Sequence, residues 1–229
     1  MIADLLRGGD PIELLLGILY SLPGILLALS FHELAHGYVA YKLGDSTAKS
    51  MGRLSMNPLH HVEPIGFLSL LLLGFGWAKP VMVDYRNLKN PKRDMAFVSL
   101  AGPLANFLLS WICYLIYYLV ICLAFPLEGE GIFAQILLGI VTILEYAIVL
   151  NVNLGLFNLI PVPPLDGSKI LYAFLPAKVL MKIAPYERYS WIVLVALLYF
   201  RILSVPLAFL SDQILSFFYF TIEKVLFFL

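Results

Sequence analysis

Residues 10–44 read DPIELLLGILYSLPGILLALSFHELAHGYVAYKLG. An N-capping aspartate and a proline at the first helical position open an apolar run that continues to Tyr41, and Lys42-Leu43-Gly44 closes it. At about 1.5 Å per residue, His32 stands roughly 30 Å from that start, so the ionisable residues lie near the far end of one membrane span. Four positions apart, His32 and His36 project from one helix face, near enough for both imidazoles to hold a single metal ion. Glu33 adjoins them, and a carboxylate there can take a proton from metal-activated water and pass it to the leaving nitrogen of an amide, the logic of the H-E-x-x-H pattern. Such a carboxylate deep in an apolar span costs at least about 2.5 kcal/mol unless compensated, which argues against a chance match.

The rest of the chain supports a bilayer setting. Of 229 residues, 61% are hydrophobic and 13% charged, and the mean hydropathy is +0.91, well above a soluble domain. Fifteen basic and fifteen acidic side chains give zero formal charge, so nothing in the overall charge indicates a nucleic-acid partner. The run from Ile12 has no strong basic n-region and no convincing small-residue cleavage site, and reads as a retained span. Cys113 and Cys122 are nine helical steps apart, on opposite faces, with no Cys-x-x-Cys pair; they read as packing residues.

Residues 42–63 are more polar and rich in breakers and read as a loop or hairpin, in which Ser46 to Met56 could pair as short strands. Ile65 to Gly76 is apolar but too short to cross the hydrocarbon core, which predicts a re-entrant or side-packed segment. Met95–Phe125 and Ile132–Phe157 are each long enough to span and form a helical hairpin around an acidic connection. Tyr189 to Leu229 is broken by Arg201, Pro206 and Asp212, leaving open one interrupted span or two shorter segments. The fold class expected is therefore an all-α polytopic helical bundle with a small β-hairpin or re-entrant region after the first helix. Eight Lys/Arg fall between Lys42 and Arg93 and four between Lys169 and Arg188, so these segments are expected on the cytoplasmic side.

A catalytic zinc site usually takes three protein ligands. Asp166 is the best candidate for the third. It follows Asn158-Leu159-Ile160-Pro161-Val162-Pro163-Pro164-Leu165, whose prolines break the preceding helix and free backbone groups beside a polar cavity. The alternative is an Asp-Gly turn in which Asp166 caps the next helix. Glu145 is a second acidic residue within a span and calls for a polar partner, which the sequence does not name.

With FHELAH at 31–36, GRLSMNPLHHVEPIG at 52–66, FGWAKPV at 75–81, AGPLAN at 101–106 and FNLIPVPPLDG at 157–167, the chain resembles the site-2 protease family of intramembrane zinc metalloproteases, peptidase family M50, over most of its length. The resemblance is to short members without an appended PDZ or CBS domain, and implies one membrane-embedded domain over residues 1–229. It implies one Zn2+ per chain held by His32, His36 and Asp166, with Glu33 as general base. Asn158 matches an asparagine that holds the substrate backbone, and its amide could donate to a carbonyl or developing oxyanion; the bland role is helix C-capping. Gly102 and Asn106 match a Gly-x-x-x-Asn element facing the site, with helix packing or a kink at Pro103 as the rival account. His61 matches a position near the site, where it could contact zinc or substrate or act behind the ligands; a neutral loop histidine is the alternative, and His60 is read as incidental.

The implied partner is a transmembrane segment of a membrane-protein substrate, cut within or near the bilayer on the cytoplasmic side of a prokaryotic cell membrane. An edge strand from the 42–63 region is expected to hold the unwound substrate. Two other classes compete: a metal or proton transporter, for which an inverted repeat or paired broken helices are missing from the sequence, and a catalytically silent membrane adaptor.

Overall fold

The computed structural model describes residues 10–73, 79–124 and 131–227. Helix α1 (Pro11–Lys42) begins where the Asp10 carboxylate accepts the Ile12 N–H at 2.9 Å, with Pro11 needing no such partner. There follow α2 (Thr47–Ser50), α3 (Pro64–Leu73), α4 (Pro91–Ala124), α5 (Ile132–Asn158), α6 (Asp166–Phe174), α7 (Ala177–Ile183), α8 (Ser190–Tyr199) and α9 (Ser204–Phe227). Among the described residues four helices are long and apolar enough to cross a bilayer, Pro11–Lys42, Pro91–Cys122, Ile132–Asn158 and Ser204–Lys224, which makes this an integral, multi-pass membrane protein. Only 11% of the most apolar window of α5 is buried by protein; Ile132, Phe133 and Leu138 point outward, as they would only where lipid is the solvent.

Helices α1, α4 and α5 pack against one another, α6 packs on α4, and α9 leans on α5. Small residues set the closest approach: a Cβ on Gly24 of α1 would lie 2.9 Å from the Ala147 Cα of α5. One apolar layer joins Leu109, Cys113, Ala147 and Ile148, and a second joins Val152, Leu156 and Phe218. The Trp111 indole N–H donates to Thr221 Oγ1 at 2.9 Å, tying α9 to α4. Cys113 is buried, Cys122 is exposed, and both are free.

The structure departs from expectation after α1. Ser46 to Met56 forms no strand pair: Thr47–Ser50 is a helical turn and the chain reverses at Met51-Gly52. Among the described residues the protein has no strand, only a single bridge residue at Val62. The cause lies in Asp45, which is fully buried. Its carboxylate accepts the Thr47 N–H at 3.0 Å, the Asn87 amide at 2.9 Å and the Asp84 N–H at 2.8 Å, so a local cap wins over a ladder. Burial pushes the Asp45 carboxyl up, but these hydrogen bonds outweigh it and hold it below the usual carboxylate range. Asp84, bonded by the Arg86 guanidinium, is lowered to about 2. The ten-residue α3 is too short to span. At the other end, the chain turns at Phe200–Leu203, with Arg201 at φ 55°, giving a short α8 and one spanning α9.

Candidate metal and catalytic site

The ionisable end of α1 is where three helices meet. His32 and His36 are 6% and 8% exposed, and Asp166, the first residue of α6, is 6% exposed. His32 Nε2, His36 Nε2 and Asp166 Oδ2 form a triangle with sides of 3.0, 3.0 and 3.1 Å, close to the edge of about 3.3 Å in a tetrahedron with metal–nitrogen distances of about 2.0–2.1 Å. The chemistry of the donors agrees. His36 Nδ1 faces the Val98 carbonyl oxygen at 2.6 Å and His32 Nδ1 faces Asn106 Oδ1 at 2.6 Å. Both partners only accept, so both Nδ1 atoms carry the hydrogen, and in the neutral form that binds metals each imidazole turns its Nε2 lone pair toward the carboxylate oxygen. Two lone pairs and an anionic oxygen at about 3 Å repel unless a cation lies among them, and the three residues therefore fit a metal ion.

Two glycines make room for this. A Cβ on Gly102 of α4 would stand 2.5 Å from His36 Nε2 and 2.6 Å from His32 Cε1, so only glycine lets α4 lie against both rings. At Gly167 a Cβ would collide with the Leu159 carbonyl, so the residue after Asp166 must be small for α6 to start beneath the end of α5. The Lys169 ammonium, 3.3 Å from Oδ1, favours the ionised form of the Asp166 carboxyl.

A cavity of about 340 Å³ opens beside the triangle, walled by His32, Glu33, His36, Asn158, Asp166 and Lys169 on its polar side and by Met82, Met95 and Val98 on its apolar side. Glu33 Oε2 accepts the Val81 backbone N–H at 2.7 Å. The irregular segment carrying Val81 is tied down on either side, by the Lys79 N–H to the His61 carbonyl at 2.7 Å and by the Asp84 N–H to Asp45. Asn158, the last residue of α5, donates one amide hydrogen to Leu154 O at 3.0 Å and leaves the other for the cavity.

The remaining expected residues stand behind the cavity wall. Asn106 is fully buried behind His32 and does not wall the cavity. His61 is also fully buried, with Nε2 on the Ser55 carbonyl at 2.7 Å, and is not among the converging ligands; its main chain, rather than its imidazole, supports the segment over Glu33. His60 is exposed. Residues 75–78 of the FGWAKPV stretch lie outside the described residues. The sequence did not single out Ser99, whose buried hydroxyl walls the cavity with no partner among the described residues, nor Asn151, which is fully buried and bonded to Asn106. Its signal was there: a polar residue in a span, seven positions before Asn158 and so on the same helix face.

A family model described as Peptidase family M50 matches residues 20–201, most of the chain and all of the converging ligands. The chain belongs to peptidase family M50. YwhC of Bacillus subtilis (strain 168), provisionally named a zinc metalloprotease, is 40% identical over 178 residues, 78% of this chain and 79% of that protein. Rip2 of Mycolicibacterium smegmatis, named in the same provisional way, is 29% identical over 180 residues, 76% of this chain and 64% of its own. The zinc metalloprotease MJ0392 of Methanocaldococcus jannaschii is 31% identical over 163 residues, 70% of this chain but 36% of its own. This M50 chain thus spans less than two thirds of the latter two. No solved structure matches. Family and buried ligand set together make the protein a zinc metalloprotease of M50 type.

Proposed function

We propose that this M50 protease hydrolyses a peptide bond within or beside a transmembrane segment of a membrane-protein substrate, on the cytoplasmic side of a prokaryotic cell membrane. His32, His36 and Asp166 hold one zinc ion per chain in this reading, and Glu33 is the general base. The observation that carries it is the convergence of three lone-pair-bearing atoms beside an acidic side chain, in a cavity near the end of a bilayer-spanning helix. Bound there, zinc supplies Lewis-acid polarisation of a carbonyl and acidification of a water molecule. Glu33 receives the proton of the attacking water and delivers it to the amide nitrogen as the C–N bond breaks. The free Asn158 amide hydrogen donates to the substrate backbone where negative charge develops. The apolar wall of Met82, Met95 and Val98 suits side chains arriving from lipid, and the substrate helix unwinds to present an amide whose own hydrogen bonds would otherwise shield it. After α1 the 42–63 segment carries a single bridge residue, Val62, and no strand pair. The density of Lys and Arg between Lys42 and Arg93 supports the cytoplasmic side.

The test is Glu33→Gln in the full chain, purified in detergent, with metal content and cleavage of a membrane-embedded substrate measured side by side. Parent-like zinc with cleavage lowered about 10²- to 10⁴-fold is expected. Parent-like cleavage would overturn the base assignment, whereas loss of zinc along with cleavage would assign Glu33 to the metal set.

A further inference from the structure

Behind the site stand two asparagines with no exposed surface, Asn106 on α4 and Asn151 on α5. With no solvent to compensate, their orientations are fixed by protein groups alone. Asn151 Nδ2 donates to the Ala147 carbonyl, one turn back, at 2.8 Å. Its Oδ1 therefore faces Asn106 and accepts from Asn106 Nδ2 at 2.9 Å, while the second hydrogen of that nitrogen goes to the Ala28 carbonyl at 3.0 Å. Both hydrogens of the Asn106 amide are thus committed, and its oxygen is left to face His32 Nδ1 at 2.6 Å.

The alternative orientation is chemically distinct. Turning the Asn106 amide over would aim its NH₂ at His32 Nδ1, moving the imidazole hydrogen to Nε2 and removing the lone pair from the ligand triangle. It would also set Oδ1 against the Ala28 and Asn151 oxygens with no hydrogen between them, in a buried, poorly screened place. His36 needs no such arrangement, because its Nδ1 meets the backbone carbonyl of Val98, which cannot turn over.

We propose that Asn151 is a positioning residue of this protease: acting through Asn106, it holds His32 in the tautomer whose Nε2 is free to bind a cation. This rests on the reading of His32 as a zinc ligand, but the Asn106 orientation that keeps a hydrogen on His32 Nδ1 is set by protein groups whether or not an ion is bound. Aspartic acid at 151 preserves the pattern, since a buried, protonated carboxyl donates to Ala147 and accepts from Asn106 as the amide does. Leucine keeps the branched shape and removes both functions.

The experiment compares the parent with Asn151→Leu, Asn151→Ala and Asn151→Asp as full chains in detergent. ¹⁵N-histidine NMR reads the tautomers after chelator treatment, and competition with a chromogenic chelator reads zinc affinity. His32 is assigned from the spectrum of His32→Ala. The expected result is a His32 signal shifted toward the Nε2–H form in the Leu variant, or in the Ala variant should leucine fail to pack. His36 should be unmoved, zinc affinity about tenfold or more weaker, and both readouts restored in the Asp variant. A His32 signal that stays in the Nδ1–H form in the Leu or Ala variant overturns the proposal, as does an Asp variant that loses as much as leucine, which would mark Asn151 as packing alone. Full zinc binding by His32→Ala would defeat the ligand reading instead, and leaves the tautomer comparison to be judged by NMR.

Discussion

The polar groups around His32 and around Glu145 both lie within spanning helices, and they are built differently. Around His32 the ligands are placed by other polar groups: Asn151 on Asn106, Asn106 on His32, Val98 on His36, with Asp166 brought in from α6. Glu145, on the same α5 helix, has a single hydrogen bond from the Tyr117 hydroxyl at 3.1 Å, on an exposed face. Both were expensive residues to place in a span. The difference shows that placement alone does not mark chemistry. What marks it is surplus order, with three ligand atoms held where they would repel unless something bound between them.

That contrast can be broken at Gly102. In Gly102→Ala the new methyl would press on both imidazoles, and about 1–3 kcal/mol of overpacking translates into zinc affinity weaker by about tenfold to a hundredfold, read by chelator competition; unchanged affinity would mean that the rings have more freedom than their packing implies. Asp45 tests whether dense satisfaction counts outside the membrane too. Asp45→Asn should lower stability by about 1.5–3 kcal/mol near neutral pH, as expected for hydrogen bonds to a charged group, measured by thermal unfolding in detergent. Because the folded carboxyl is held below its ordinary value, its contribution is complete above about pH 4 and is lost as pH falls through the folded value, so the gap between variant and parent should narrow in acid. The smallest effect belongs to the sparse group: Glu145→Gln should change stability by no more than about 0.5 kcal/mol and leave zinc affinity alone. A large loss of zinc there would erase the distinction between the two.

How much of this the sequence carried follows from how local each feature is. His32 and His36 were legible because four residues on a helix share a face whatever surrounds them, and the spans were legible from length and apolarity. Asp166 could be picked out since the preceding prolines end α5 ahead of it. The segment after α1 could be read as either a loop or a hairpin because its alternation is weak, and because Asp45 draws its partners from residues 84 and 87, some 40 positions on; Ala48, fully buried, lies against Gly37 from a helical turn. His61 looked like a site residue by position, yet it is its carbonyl that reaches the site's supporting segment. Asn151 was visible as a polar residue in a span, but its role lies in a bond across to another helix.

The contact between Val81 and Glu33 has one more consequence. Its donor is the peptide backbone, so it has no side-chain signature: an alanine scan through Pro80, Val81, Met82 and Val83 would leave the N–H in place and score the segment as dispensable at this bond. Only proline at position 81 deletes the donor. An acidic residue governed in this way is silent to ordinary mutational mapping, and a survey of side chains alone would overlook what steadies it.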